Sequence, residues 1–344
     1  MSDPRSVSVG VVGLGYWGPN LARNLAAIDG CRVAWLCDGD SEALSRAAAA
    51  HPGARTAARI DDLLSDEQLD AVVLATPVAT HAPLALRALE AGKHCLVEKP
   101  LATSAADAQL ALSAAQRAGR VLMVGHLLEY HPAVRALLGL VDSGELGDRI
   151  YYVYSNRVNL GRLRADENAL WSLGAHDLSV LLALAGEDPL EAVAHGACCV
   201  RPDVQDVVFC FLRFPSGLCA HLHLSWLDPH KERRFTVVGS RRMATVDDMA
   251  LERKLTVYDK GFDEDARTYG EYITRSGGSY SPRIPSVEPL RLECEEFIAS
   301  IRERRAPRTD GARGLRVVRV LERLQASLEL TSQTRDGVDA RGSA

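Results

Sequence analysis

Short apolar runs alternate with amphipathic segments from residue 7 to residue 124, a pattern that predicts β-α-β units and a parallel sheet. Strands are expected at 7–12, 32–37, 71–74, 94–97 and 121–124, with helices near 17–28, 41–50, 79–91 and 104–118. The last helix carries its own punctuation: Ser104 with Asp107 three residues on resembles a capping box, and Gly119 follows as terminator. Its many alanines add helix propensity.

Beyond Val124 the pattern changes. A helix near 132–142 and a strand near 149–156 lead through a loop to a helix at 171–185. Longer β-like runs follow at 190–200, 205–214 and 218–227, and Pro215-Ser216-Gly217 between the last two predicts an antiparallel hairpin. With strands at 234–239, 243–247 and 254–258, this half reads as α+β: an open, mostly antiparallel sheet with helices on one face. Residues 261–287, rich in Gly, Ser, Pro and Tyr, read as a long loop. Helices near 289–304 and 311–330 precede a polar tail at 331–344, and no internal repeat is present. The expected division is 1–125 and 126–330.

A chain of 344 residues accommodates two such domains, and 47% hydrophobic with 25% charged residues is the balance of a globular protein. The net charge of −5 argues against nucleic acid or an anionic membrane as partner. No apolar stretch approaches the roughly 20 residues needed to cross a bilayer. Eight cysteines, none in Cys-x-x-Cys spacing, and a brief polar start without an export signal point to reduced thiols and a cytoplasmic location. Metal is not expected: His221 and His223 alternate on a strand without nearby ligands and read as sheet-face residues.

The first strand feeds Gly13-Leu14-Gly15-Tyr16-Trp17-Gly18 and then a helix, the context that a dinucleotide fingerprint requires. Two glycines permit a tight turn and close approach to a pyrophosphate, and the third permits close helix packing. The helix start offers free N–H groups and a positive dipole end to phosphate. Asp38, 20 residues after Gly18, ends the second strand, where a carboxylate accepts from ribose hydroxyls and repels a 2′-phosphate. NAD is therefore favoured over NADP.

Further along stand Ala75-Thr76-Pro77 with His81, Ala91-Gly92-Lys93, Glu98-Lys99-Pro100-Leu101, Val124-Gly125-His126 with Tyr130-His131-Pro132, and Gly174-Ala175-His176-Asp177. In this order and spacing the chain resembles the Gfo/Idh/MocA family, the glucose-fructose oxidoreductase and inositol dehydrogenase group, over nearly its whole length. The resemblance implies an amino-terminal Rossmann domain for NAD(P). It also implies a carboxyl-terminal open-sheet domain that holds substrate and joins homodimers or homotetramers. It places Thr76, Pro77, His81, Glu98, Lys99 and His126 at the cofactor, and matches Lys99 and His176 to the family's lysine and histidine.

Oxidising a secondary alcohol calls for a base at the hydroxyl, and histidine titrates in the right range. In that scheme His176 is the acid/base and Lys99 polarises the reacting oxygen. The expected substrate is a sugar, nucleotide sugar or cyclitol. Many family members carry an aspartate four residues before the histidine; here the position is Ser172, which on a regular helix shares a face with His176. Asp177 points some 100° away on the same helix. Arg157, Arg162 and Arg164 offer planar forks for phosphate or carboxylate, Asn159 offers hydrogen bonds, and Trp171 a platform for a sugar ring. Lys231-Glu232-Arg233-Arg234 reads as an exposed mixed-charge turn. Two other functions fit the same pattern: redox cycling on a tightly held cofactor, and a cofactor-sensing regulator without chemistry.

Overall fold

The computed structural model describes residues 6–161, 163, 167–268 and 271–339, and for 263–268, 271–272 and 331–339 the backbone alone. The chain begins β1 (Val7–Val12), α1 (Gly18–Ala26), β2 (Cys31–Cys37), α2 (Ser41–Ala50), β3 (Arg55–Ala57), α3 (Ile60–Leu64) and β4 (Ala71–Leu74). It continues α4 (His81–Glu90), β5 (His94–Glu98), α5 (Ala105–Ala118) and β6 (Leu122–Gly125). After α6 (Pro132–Asp142) come β7 (Ile150–Val158), α7 (Ala175–Ala185), β8 (Glu191–Ala197), β9 (Val207–Arg213) and β10 (Cys219–Ser225). Then follow β11 (Glu232–Gly239), β12 (Met243–Asp247), β13 (Leu255–Thr268), β14 (Glu271–Tyr280), α8 (Pro289–Glu303) and α9 (Gly311–Asp339).

Two compact units result: residues 1–130 with 287–319, and residues 131–286 with 320–344. The first holds a six-stranded parallel sheet in the order β3-β2-β1-β4-β5-β6, the doubly wound arrangement of a Rossmann domain. Every residue of β1 is buried, as befits a central strand covered on both faces. Apolar residues of α1 recur at Leu21, Ala22 and Leu25 and pack with Val9, Val11, Leu36 and Val73. Truncating Leu21 to alanine there would cost about 2–5 kcal/mol. Helix α5 starts and stops as its sequence predicts: the Ser104 side chain accepts from the Asp107 amide at 3.1 Å, and Gly119 ends it at φ 60°. The segment 287–319, placed with the carboxyl-terminal half by its position in the chain, packs here through Leu290, Cys294, Phe297 and Ile298 of α8. The brief β3 and α3, three and five residues long, are below the reach of sequence periodicity.

The second unit holds an eight-stranded sheet in the order β14-β13-β12-β11-β7-β10-β9-β8, antiparallel apart from the β7–β10 pair. Burial alternates along β9 and β10, so one face is covered and the other bare. The loop expected at 261–287 is instead largely the β13–β14 hairpin. Phe262, Ile273, Thr274 and Tyr280 are good strand formers that lie exposed on this edge, so no apolar alternation marks them. Gly277 there reflects close strand approach, since a β-carbon would meet the Asp259 carboxylate. Helix α9 runs on to Asp339, past the predicted end at 330; nothing before Gly337 breaks a helix. No described helix is long and apolar enough to cross a membrane.

Candidate active site

In the first unit, the glycines after β1 answer to different constraints. Gly13 has φ 88°, and a β-carbon there would lie 2.5 Å from the Ala75 carbonyl oxygen. A β-carbon on Gly18 would collide with the Gly13 carbonyl oxygen, whereas Gly15 is exposed with nothing within 4 Å. Helix α1 has no side-chain cap and no acid in its first turn. Among the described residues no acceptor takes the amide protons of Gly15, Tyr16 or Trp17. A helix start left this way is a ready anion cradle. Tyr16 and Trp17 stand exposed beside it, edge to face at 5.5 Å.

Leu14 differs from its neighbours: its side chain is buried and its amide donates to Asp38 Oδ2 at 2.5 Å. Asp38 Oδ1 accepts from the Asp40 amide at 2.8 Å. The carboxylate at the end of β2 thus braces the glycine turn while remaining half-exposed.

His81, 1% exposed, ties two strand-end loops together, with Nδ1 2.8 Å from the Pro100 carbonyl and Nε2 2.8 Å from that of Thr76. Burial outweighs these carbonyl contacts and holds its pKa below the ordinary value, so the neutral ring donates to one of the two. Thr76 Oγ1 accepts from Thr80 Oγ1 at 2.7 Å, and Pro77 between them is exposed. At the end of β5, Glu98 Oε2 lies 3.3 Å from the Lys99 amide, and a β-carbon on neighbouring Gly125 would sit 3.4 Å from the same oxygen. Burial pushes Glu98 up to about 7 against the opposing pull of Lys99. His126 is 1% exposed, and neither ring nitrogen has a hydrogen-bond partner. Burial and then the Lys99 charge push it down to about 3, leaving a neutral imidazole with one unused donor and one unused acceptor. The half-buried Lys99 is therefore the charge felt by Glu98, His81 and His126 alike, and these four residues form one cluster.

In the second unit, His176 is the second residue of α7 and half-buried. The preceding turn, Leu170–Gly174, is a π-helix, a form found mostly at functional positions. Ser172 lies inside that wider turn, four residues before His176. Asn168 fixes that turn: its Oδ1 accepts from the Trp171 amide at 3.1 Å, and its Nδ2 donates to Gln205 and Gln325, each at 2.9 Å. Trp171 is half-buried.

Asp177 is buried and receives both Nε (2.6 Å) and Nη2 (3.0 Å) of Arg157. Arg157, expected at the substrate, thus has its fork engaged inside the protein. Arg233, expected in an exposed turn, lies half-buried on β11 and donates to the Val158 carbonyl at 3.0 Å and to Asn159 Oδ1 at 2.7 Å. Desolvation, then the neighbouring Arg157, lowers its pKa to about 10. Sequence reading missed the roles of both Asp177 and Arg233, because the β7–β11 register that sets Arg233 opposite Arg157 is not carried by spacing along the chain. Arg162 and Arg164 lie outside the described residues. His221 and His223 occupy the bare sheet face, stacked on Tyr154 at 5.4 Å and Phe209 at 4.6 Å.

Comparison with known proteins decides the family. A model described as "Oxidoreductase family, NAD-binding Rossmann fold" matches residues 7–126, and one for the GFO/IDH/MocA C-terminal domain matches residues 134–245. The UDP-N-acetylglucosamine 3-dehydrogenase of Acidithiobacillus ferrooxidans is 29% identical over 331 residues, 93% of this chain and 96% of that protein. A solved structure of that enzyme superposes with a TM-score of 0.81 at 28% identity, covering 94% of this chain and 98% of its own. An inositol 2-dehydrogenase of Saccharopolyspora erythraea is 33% identical over 226 residues, 64% of this chain and 66% of the other. The chain belongs to the Gfo/Idh/MocA family. As a member of Gfo/Idh/MocA it is an NAD(P)-dependent oxidoreductase of the dehydrogenase and ketoreductase class. The residues present fit the dinucleotide: collision-free glycines, unclaimed amides at a helix start and a carboxylate at the end of β2.

Proposed function

We propose that this enzyme interconverts a secondary alcohol and a ketone on a sugar, nucleotide sugar or cyclitol, with NAD preferred to NADP. The observation that carries the reading is the Lys99 cluster at the carboxyl end of β5, beside a cradle built for a dinucleotide. Bound cofactor supplies uptake or return of hydride at the alcohol carbon. His176 takes the hydroxyl proton in the oxidative direction and returns it in reduction. Lys99 donates a hydrogen bond to the same oxygen and stabilises its developing negative charge. Gly13, Gly15 and Gly18, with the amides of Tyr16 and Trp17, hold the pyrophosphate. Asp38 accepts from the adenosine ribose and excludes a 2′-phosphate by charge. Glu98 and His126 offer hydrogen-bonding atoms to the nicotinamide side, and Thr76, Pro77 and His81 shape the wall of the same site.

Within the substrate class a nucleotide-linked sugar is favoured. The UDP-N-acetylglucosamine 3-dehydrogenase is similar along 93% of this chain, and Arg233 brings cationic charge to the end of β7 with Asn159 beside it. Arg157 acts through Asp177 to hold the start of α7, and Trp171 offers the ring platform. A second copy of the chain is proposed to cover the bare sheet face, where Tyr152, Phe209 and Phe211 are exposed. The test is spectrophotometric formation of NADH with UDP-N-acetylglucosamine, free sugars and myo-inositol. Lys99→Ala and His176→Ala proteins that fold, bind NAD and still turn over at the wild-type rate would overturn the roles of both residues.

A further inference from the structure

At the opposite end of the parallel sheet from the glycine turn, the first unit contains a cavity of about 930 Å³. Its floor is the first residues of β1, β5 and β6, and its walls are the carboxyl ends of α5 and α8. Four arginines line it, Arg120, Arg302, Arg304 and Arg305, against two acids, Asp70 and Asp310. Both acids are engaged: Asp70 Oδ2 accepts from the Ser8 amide and Asp310 Oδ1 from the Arg313 amide, each at 2.9 Å. Arg305 is gripped by Glu296 and Glu303, and Arg302 donates to the Asp29 carbonyl at 2.7 Å. Arg120 and Arg304 have no carboxylate or carbonyl partner among the described residues.

His94 shows what these cations face. The Val121 amide donates to its Nδ1 at 2.9 Å, so Nδ1 is an acceptor and the proton of the neutral ring sits on Nε2. That Nε2–H lies 3.5 Å from Nη1 of Arg120, which can only donate. Two donors therefore converge, and no acceptor among the described residues serves the His94 proton. Burial, and then the Arg120 charge, push the ring down to about 4, which keeps it neutral at ordinary pH. Helix carboxyl ends attract cations by themselves, but these two close with backbone bonds, Arg120 N–H to the Ala115 carbonyl and Arg305 N–H to that of Ser300. Arg304 is also the only described non-glycine residue with a positive φ, 54°, at a helix end where glycine fits more readily. An arginine kept there points to a use for its side chain. We propose that this cavity is a second anion site, separate from the dinucleotide cradle, that takes a phosphate group on His94 Nε2–H, Arg120 and Arg304. A phosphate offers several oxygens to donors arriving from separate elements, whereas a planar carboxylate suits a single fork. The volume admits a phosphorylated metabolite as well as the free ion.

Calorimetric titration of the full chain, saturated with NAD so that the glycine cradle is filled, tests the site with inorganic phosphate, phenyl phosphate and acetate. Phosphate should bind with a Kd of about 1 mM or tighter, and acetate at least about tenfold more weakly. Phenyl phosphate, an ester with no alcohol to oxidise, separates the sources: tighter binding than the ion identifies a phosphorylated metabolite, and weaker binding identifies free phosphate. Arg120→Gln and Arg304→Gly should each raise the phosphate Kd about tenfold, the loss of one charge-assisted hydrogen bond. Arg304→Gly suits the left-handed backbone and should fold at least as stably as wild type, so the test stands even if Arg120→Gln does not fold. Nitrogen NMR of labelled histidines, with His94→Gln for assignment, should show the Nε2–H tautomer at His94 and a shift of that resonance on adding phosphate. A phosphate Kd above about 20 mM, a Kd unchanged in Arg304→Gly, acetate bound as tightly as phosphate, or a proton on Nδ1 of His94 overturns the proposal.

Discussion

Asp177→Ala removes the carboxylate that two nitrogens of Arg157 grip at 2.6 and 3.0 Å. The side chains are 2% and 11% exposed, so the guanidinium left behind stays desolvated. Deleting one partner of such a buried pair costs about 3–5 kcal/mol. The upper half of that range is expected, because Arg233 stands directly opposite Arg157 in the β7–β11 register. For a folding unit of about 150–250 residues this corresponds to a fall in melting temperature of roughly 8–20 °C. The assay is urea unfolding and calorimetry on Asp177→Ala, Arg157→Met and the combination Arg157→Met/Asp177→Leu. The combination leaves no unpaired charge in that pair and should regain all but about 1 kcal/mol, or exceed wild type. A single substitution costing less than about 1 kcal/mol would put the pair in the class of exposed ion pairs. A double variant as unstable as the sum of the singles would show no coupling, and either result refutes the reasoning.

Gly18→Ala should raise the Kd for NAD at least tenfold and cost about 1–3 kcal/mol, because its β-carbon meets the Gly13 carbonyl; unchanged affinity would dismiss the cradle. Asp38→Ala should narrow the preference for NAD over NADP in binding titrations while loosening the Leu14 turn that it braces at 2.5 Å; an unaltered ratio would show that Asp38 does not select the cofactor. Glu129 is held by burial up to about 7, above its free value of 4.5, so the folded chain binds more protons than the unfolded one between those pH values. Its stability contribution should therefore be full below about 4.5 and fall by up to about 3 kcal/mol as pH rises through 7, and Glu129→Gln should flatten that slope in pH-dependent urea melts. Phe209→Asp with Phe211→Asp, on the bare sheet face, should lower the mass measured by light scattering to that of a monomer; an unchanged mass places any interface elsewhere.

The amino-terminal half was legible because its signals are local. Val7 to Val12 is an unbroken apolar strand apart from Ser8 and Gly10, and Gly13, Gly15 and Gly18 follow at once. Ser104 and Gly119 mark both ends of α5 with their own side-chain and backbone chemistry. The β13–β14 hairpin was not legible: on an exposed edge residues 273–280 have no buried face to alternate with. Nor was the π-turn at Leu170–Gly174, since one extra residue per turn is invisible in a run that is apolar either way. Glu293 reads in the sequence as an ordinary helical glutamate, followed by Glu295 and Glu296. Only the packing of α8 into the first unit separates it from them, with Glu295 on an exposed ion pair and Glu293 at 1% exposure.

Charges near the end of β7 show why spacing along the chain misleads where register governs. Arg157, Arg162 and Arg164 look like one basic cluster because they are close in sequence. The antiparallel pairing of β7 with β11 instead sets Arg157 opposite Arg233, 76 residues away, on the covered face of the sheet. Like charges directly opposite on one face repel, and burial raises the cost. Asp177, projecting from α7, neutralises one of the two, which explains an aspartate beside His176 without giving it a part in proton transfer. The second guanidinium is left with uncharged oxygens as partners, the carbonyls of Val158 and Glu232 and the side-chain oxygen of Asn159, and with a pKa lowered to about 10 by desolvation and by Arg157. Arg233 thus holds a half-buried positive charge that no carboxylate grips directly. A phosphate or carboxylate on the substrate would supply the missing charge, so affinity for an anionic sugar should depend more on Arg233 than on Arg157. Arg233→Met should raise KM for a nucleotide sugar far more than for myo-inositol, and equal effects on both substrates would refute the anionic role.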